Sequence, residues 1–128
     1  MSERCYICIE TKKNEYVGVY CHNNGEIYNT GELLLKNYNS RIKVEELLSY
    51  GDMSILGENI ETSVFYKRDR GEYNHDLSAK AVTLLDINSI ESLIRYCYIF
   101  SLDDTWQYFI CGGKNINLLD LNDVIFIE

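Results

Sequence analysis

Proline is absent from this chain of 128 residues. No low-complexity tract and no internal repeat is visible either, so nothing reads as an interdomain spacer, and the length fits one domain spanning 1–128. The missing proline, beside plentiful Asn, Ile, Tyr and Lys, is the usage of an AT-rich coding source and carries no chemistry. Long apolar runs are also missing: none approaches the ~18 residues that a membrane span requires. The first residues, Met1-Ser2-Glu3-Arg4, lack a basic region followed by an apolar stretch, so no secretory leader is expected. Five cysteines, an odd number, fit free thiols in a reducing compartment better than a disulfide framework. Cytoplasm is the expected location.

Positive charge is scarce. Twelve Lys and Arg stand against twenty Asp and Glu, a net charge of -8. A protein that neutralises phosphates needs a basic face, so general nucleic-acid binding is excluded as an expectation, and so is docking on anionic membrane. The acidity keeps a small domain dispersed. Its sharper reading is mimicry of nucleic acid, in which carboxylates occupy a partner's phosphate-binding surface. A glycine-rich phosphate loop, a His-rich metal spacing and a Gly-x-Ser-x-Gly elbow are all lacking. No catalytic residue, metal or cofactor is therefore assigned, and a non-enzymatic role is favoured.

What is present is a pattern of paired strands with helices between them. Residues 4–10 and 15–21 are rich in β-formers around a polar turn and read as a hairpin. Thr30 is a plausible cap for a helix through Leu33, Leu34, Leu35 and Tyr38, and Ser40 for a second through Ile42, Val44, Leu47 and Leu48. Gly51 follows where a left-handed residue would close that helix. Residues 62–66 read as a short strand, 67–76 as a dense polar loop and 79–84 as another strand. Asp86 or Asn88 would cap a short helix through Ile90, Leu93 and Ile94. A second hairpin joins 96–100 to 105–110 across the loop 101–104, and residues 124–127 supply a terminal strand. The expected class is α+β: an antiparallel β-sheet with two or three short helices packed on one face.

Cys5 and Cys8 form a Cys-x-x-Cys, but residues three apart in a strand face opposite ways and cannot readily share a metal. Cys21-His22 suggests a thiolate beside an imidazole. Adjacent strand residues also diverge, which leaves His22 as a structural or ligand-binding group. His75 sits in a polar loop and is expected to be solvated. Lys67-Arg68-Asp69-Arg70-Gly71 concentrates three bases in an acidic protein, with forked donors for carboxylate or phosphate and a glycine that would admit a ligand's close approach. Its plainer reading is a solvated loop whose charges pair among themselves. Eleven tyrosines and Trp106 suit either a recognition surface or sheet packing. The candidate ligand- or partner-binding residues are His22, Asn23, Asn24, Lys67, Arg68, Asp69, Arg70 and Trp106.

Several segments, in order, carry a resemblance: Gly18-Val19-Tyr20-Cys21-His22-Asn23-Asn24-Gly25, Thr30-Gly31-Glu32-Leu33-Leu34, Lys43-Val44-Glu45-Glu46-Leu47-Leu48, Gly51-Asp52-Met53, and Tyr66-Lys67-Arg68-Asp69-Arg70-Gly71-Glu72. Together with the Tyr-rich hairpin from Tyr96 to Trp106 they resemble a family of small uncharacterised proteins encoded by bacteriophages and prophages. Asn23 and Asn24 depart from that family's Trp-Asp, and the chain after Gly113 looks like an addition. The resemblance implies an accessory phage protein in the bacterial cytoplasm that inhibits a host defence system, as an anti-CRISPR-type inhibitor would. It would bind a host defence protein or an anionic small molecule such as a nucleotide signal. Two rivals stay open: a small nucleotide-directed hydrolase using His22 as base, and a structural or regulatory phage protein that forms a homodimer or larger homo-oligomer through its tyrosine-rich sheet.

Overall fold

A computed structural model describes residues 3–72 and 75–125. The chain runs through β1 (Cys5–Lys12) and β2 (Glu15–Asn23), then a wide turn (Ile27–Gly31) into α1 (Glu32–Asn37) and α2 (Arg41–Ser49). Next come β3 (Met53–Ile55), β4 (Val64–Phe65), α3 (Tyr66–Arg70), β5 (Lys80–Val82) and α4 (Leu84–Asn88). The last third holds β6 (Tyr96–Phe100), β7 (Trp106–Ile110) and β8 (Leu119–Asp120).

The strands form one sheet in the order β4-β3-β2-β1-β6-β7-β8, with β5 pairing β2 beside β3. The class is α+β, as the sequence implies. The sheet itself is mixed: β1 runs parallel to β6 and β2 parallel to β3, while the remaining pairs are antiparallel. The reason is that both expected hairpins form, but the chain returns from β5 and α4 to place the second hairpin alongside β1 in the same direction.

Alternation divides the strand residues between two faces. On the first lie Cys5, Ile7, Ile9, Val19, Cys21, Tyr98, Phe100, Trp106 and Tyr108, packed against Leu34 and Tyr38 at α1 and Val44, Leu47 and Leu48 of α2. On the second lie Cys8, Cys97, Ile99, Phe109 and Cys111, covered by Ile87 of α4. Helices thus occupy both faces, not one. A short helix capped by Thr83, whose hydroxyl accepts from the Asp86 N–H, replaces the one expected to start at Asp86 or Asn88.

Local chemistry explains most boundaries. Asn14 closes the first hairpin at φ 63, a conformation that Asn tolerates. Ser40 caps α2 by accepting from the Lys43 N–H, and Gly51 ends that helix segment at φ 81. Thr30 is not a cap; its hydroxyl donates to the Asn24 carbonyl at 2.7 Å and pins the wide turn. Arg41 ties α2 to both hairpin turns, donating to the carbonyls of Glu10 and Ser101 and to Asp104. The expected strand at 124–127 is not seen at Val124 and Ile125, and Phe126 and Ile127 lie outside the described residues. β8 pairs with the edge of β7 instead.

Candidate functional site

The bases of Lys67 to Arg70 lie on a helix, not in a loop. Phe65 precedes α3, and Asp69 reaches back to accept the Phe65 N–H at 2.8 Å, which offsets one of the unpaired donors at a helix start. Gly71 closes α3 in the left-handed region at φ 66. Its task is therefore to end the helix, a role distinct from admitting a ligand.

This helix points its two arginines in different directions. The Arg68 guanidinium lies 4.9 Å from the Phe65 ring centre and 5.5 Å from that of Tyr50. It donates to the Ser63 carbonyl and to Asp69, both at 2.9 Å. That pairing holds Arg68 charged and keeps the Asp69 carboxyl below the usual carboxylate range. Arg68 and Asp69 thus brace the chain around β4. Arg70 instead lies over the Tyr66 ring and donates to Ser54 Oγ at 3.3 Å. Asn23 donates to the same hydroxyl at 3.1 Å and to the Ser54 carbonyl at 3.0 Å. The first polar turn and the basic segment therefore meet at Ser54, through Asn23 and Arg70. Asn24, at φ 58, supplies the carbonyl that receives Thr30.

His22 stands on the second face, across the strand from buried Cys21, and its Nδ1 is 2.6 Å from the Tyr20 hydroxyl. Lys67 reaches the Ser78 hydroxyl. Trp106 does not belong to a site. It is 2% exposed, packs edge-on to Phe100, and donates its indole N–H to the Tyr38 carbonyl at 2.8 Å. The expectation of a surface role for Trp106 is overturned by its register on β7, which turns it into the core between sheet and helices.

Tyr20 leads to a hollow that the motifs did not signal. Between the second face and α4 lies a cavity of about 360 Å³ lined by Tyr6, Tyr20, Asp52, Lys80, Ile87 and Ile94, among others. Tyr6 and Tyr20 are direct cross-strand partners. Gly18 makes this arrangement possible: a Cβ there would meet Cys8 Sγ at 2.7 Å and Tyr6 Cδ2 at 3.0 Å, so the Tyr6 ring leans across a bare backbone. Asp52 fills the gap that β3 and β5 leave along β2, accepting the Tyr20 N–H at 2.8 Å on Oδ1. Burial pushes Asp52 above the usual carboxylate range, against the pull of the Tyr20 N–H, Lys80 and Lys67. Two other hollows, of about 380 and 370 Å³, sit by α1 and α2, and their walls include long charged side chains such as Lys36 and Glu58.

Tyr6, Tyr20, Asp52 and Lys80 escape sequence reasoning for a definable reason. Counting back from the Lys12 and Glu15 pair would place Tyr6 opposite Cys21; an irregularity between Glu10 and Lys12 shifts the register so that Tyr6 faces Tyr20. Tyr20 and Asp52 stand within segments that carry the phage resemblance, Gly18 to Gly25 and Gly51 to Met53, but nothing in those segments marks either residue for binding.

Among the described residues, no helix is long and apolar enough to cross a membrane, and no group of three or more His, Cys, Asp or Glu could hold a metal ion. Comparison with protein-family models, curated proteins and solved structures finds no match to this chain.

Proposed function

We propose that this chain is a phage or prophage accessory protein that blocks a bacterial defence system by binding, without catalysis, in the cytoplasm of the host cell. The observation that carries the reading is a convergence. Tyr20 to Asn23, Gly51-Asp52 and Tyr66 to Gly71, three of the separated segments on which the phage resemblance rests, adjoin one another. The Tyr20 N–H goes to Asp52, the Tyr66 N–H to the Asp52 carbonyl at 3.3 Å, and Asn23 and Arg70 share Ser54. Segments far apart in the chain that meet in this way are what a binding site requires, and two of them line the second-face cavity, through Tyr20 and Asp52.

The test is a plating assay. The chain is expressed in a panel of bacterial strains, each carrying one defence system, and challenged with a phage that the system restricts. Restored plating on at least one strain is expected. If plating stays restricted on every strain in which the protein accumulates, the reading fails.

A second reading, direct docking on a defence protein, draws on a different feature. Leu85, Ile90 and Leu93 are 76%, 82% and 66% exposed along α4 and the turn after it, beside the cavity. Leu93 Asp substitution (Leu93→Asp) would then abolish the plating effect while leaving small-molecule binding intact.

A further inference from the structure

Asp52 is the most informative group in the second-face cavity. The residue is 7% exposed, and only its Oδ1 is committed, to the Tyr20 N–H. Among the described residues, no fully enclosed side-chain oxygen lacks a hydrogen bond, so the uncommitted Oδ2 must be reachable from outside. Asp52 itself lines the second-face cavity. A carboxylate oxygen held in place and left open accepts an N–H donor from a ligand, and a ligand that covers it without supplying one leaves it buried and unpaired, which is costly.

The surroundings narrow the donor's identity. The Tyr6 ring, leaning across Gly18, and the side chains of Ile87 and Ile94 offer a planar ligand an aromatic and apolar bed. Lys80 lines the same cavity from β5, its Nζ donating to the Asp76 carbonyl at 2.7 Å with two further N–H groups to offer, while Asp86 lines it from α4, so an anionic group on a ligand has its place at Lys80, away from both carboxylates. A ligand matching this set is flat, carries an N–H donor on its edge and bears an anionic group. A volume of about 360 Å³ is near the lower end of small-molecule pockets, which limits the ligand to about the size of a mononucleotide.

We infer that the cavity binds a nucleotide whose base carries an exocyclic amino group, with the base against Tyr6, its amino N–H on Asp52 Oδ2 and its phosphate toward Lys80. The inference rests on the reading of the convergent segments as a binding site and names the class of ligand that site takes. Asp52 is the residue that selects the base, Tyr6 supplies the stacking surface, and Lys80 adds affinity without base preference.

The experiment is calorimetric titration of the purified chain with AMP, with adenosine, and with purine riboside 5′-monophosphate, which lacks only the amino group. AMP should bind at least about tenfold more tightly than the deaminated analogue, a typical consequence of leaving one buried polar group unpaired. Asp52→Asn, which presents an amide N–H₂ in place of the acceptor, should erase that preference; equal weakening of both ligands would assign Asp52 a structural role and overturn the inference. Tyr6→Leu should weaken AMP by about tenfold or more, the usual loss when a base loses its aromatic partner. Lys80→Gln should weaken AMP and leave adenosine unchanged. Absence of binding by GMP, CMP and AMP to the folded wild-type chain overturns the inference outright. If plating is nevertheless restored, the defence-blocking function stands and only the nucleotide fails. If AMP binds as described but no strain is rescued, the ligand stands and the defence role fails.

Discussion

Replacing Trp106 by Phe distinguishes a core residue from a recognition residue at one of the positions that the sequence singled out. The substitution keeps an aromatic ring against Phe100 and removes two things. The indole N–H that the Tyr38 carbonyl accepts is lost, and a buried acceptor left unpaired costs about 1–3 kcal/mol. The missing half of the indole leaves a void of roughly 40 Å³ in a closely packed core, worth about 1 kcal/mol. Together they lower stability by about 2–4 kcal/mol, which for a domain of this size moves Tm down by about 10 °C. Thermal unfolding followed by far-ultraviolet circular dichroism measures this without relying on the single tryptophan. In the wild type, that tryptophan should emit at short wavelength and resist quenching by iodide. A Tm within about 2 °C of wild type, joined to a lost plating effect, would place Trp106 at a binding surface and refute the packing argument.

Three further outcomes follow from other parts of the molecule. Arg68→Gln should lower Tm by several degrees and leave AMP affinity unchanged, because the guanidinium serves Phe65, Tyr50 and the Ser63 carbonyl; a specific loss of ligand affinity would contradict its bracing role. Gly51→Ala should prevent stable folding, since its Cβ would overlap the Leu77 carbonyl oxygen at φ +81, whereas Gly71→Ala, at φ +66 with nothing within 4 Å, should cost only about 1–2 kcal/mol. Equal effects at the two glycines, measured by urea denaturation, would invalidate the steric account. The buried thiols and phenols should make the fold sensitive to alkali: burial pushes Cys111 up to about 12 and raises Cys5, Cys97, Tyr6 and Tyr98. Because these groups are raised in the folded state, their stabilising contribution is complete below pH 9 and is lost as pH rises toward 12, at about 1.4 kcal/mol per pH unit for Cys111 alone. Denaturation under reducing conditions should show a loss of at least about 2 kcal/mol between pH 8 and 10.5, and a flat profile would contradict the burial of these side chains.

Short-range features are legible in the sequence. The two hairpins follow from β-rich runs separated by short polar turns holding Asn14 in the first and Asp103 and Asp104 in the second, Ser40 announced the start of α2, and Gly51 its end. Each depends on residues within a few positions of one another, where backbone preference and side-chain capping act directly. Alternation likewise placed Cys5 and Cys8 on opposite faces, and Cys21 away from His22. The α3 segment was missed because its stability comes from the Asp69 reach-back and from arginine packing, and its charge density reads as loop.

Sequence alone determined the acidic charge, the two hairpins and the Ser40 cap of α2, since these are composition or nearest-neighbour chemistry. Tertiary structure decided the rest. The parallel alignment of β1 with β6, the one-residue shift that sets Tyr6 against Tyr20, the burial of Trp106 and the capture of Arg68 by Phe65 and Tyr50 each depend on the packing of the whole fold. The physical reason is that burial and cross-strand register are settled by which distant surfaces exclude water together, and a carboxylate such as Asp52 becomes a binding group only when its neighbours satisfy one oxygen and leave the other open.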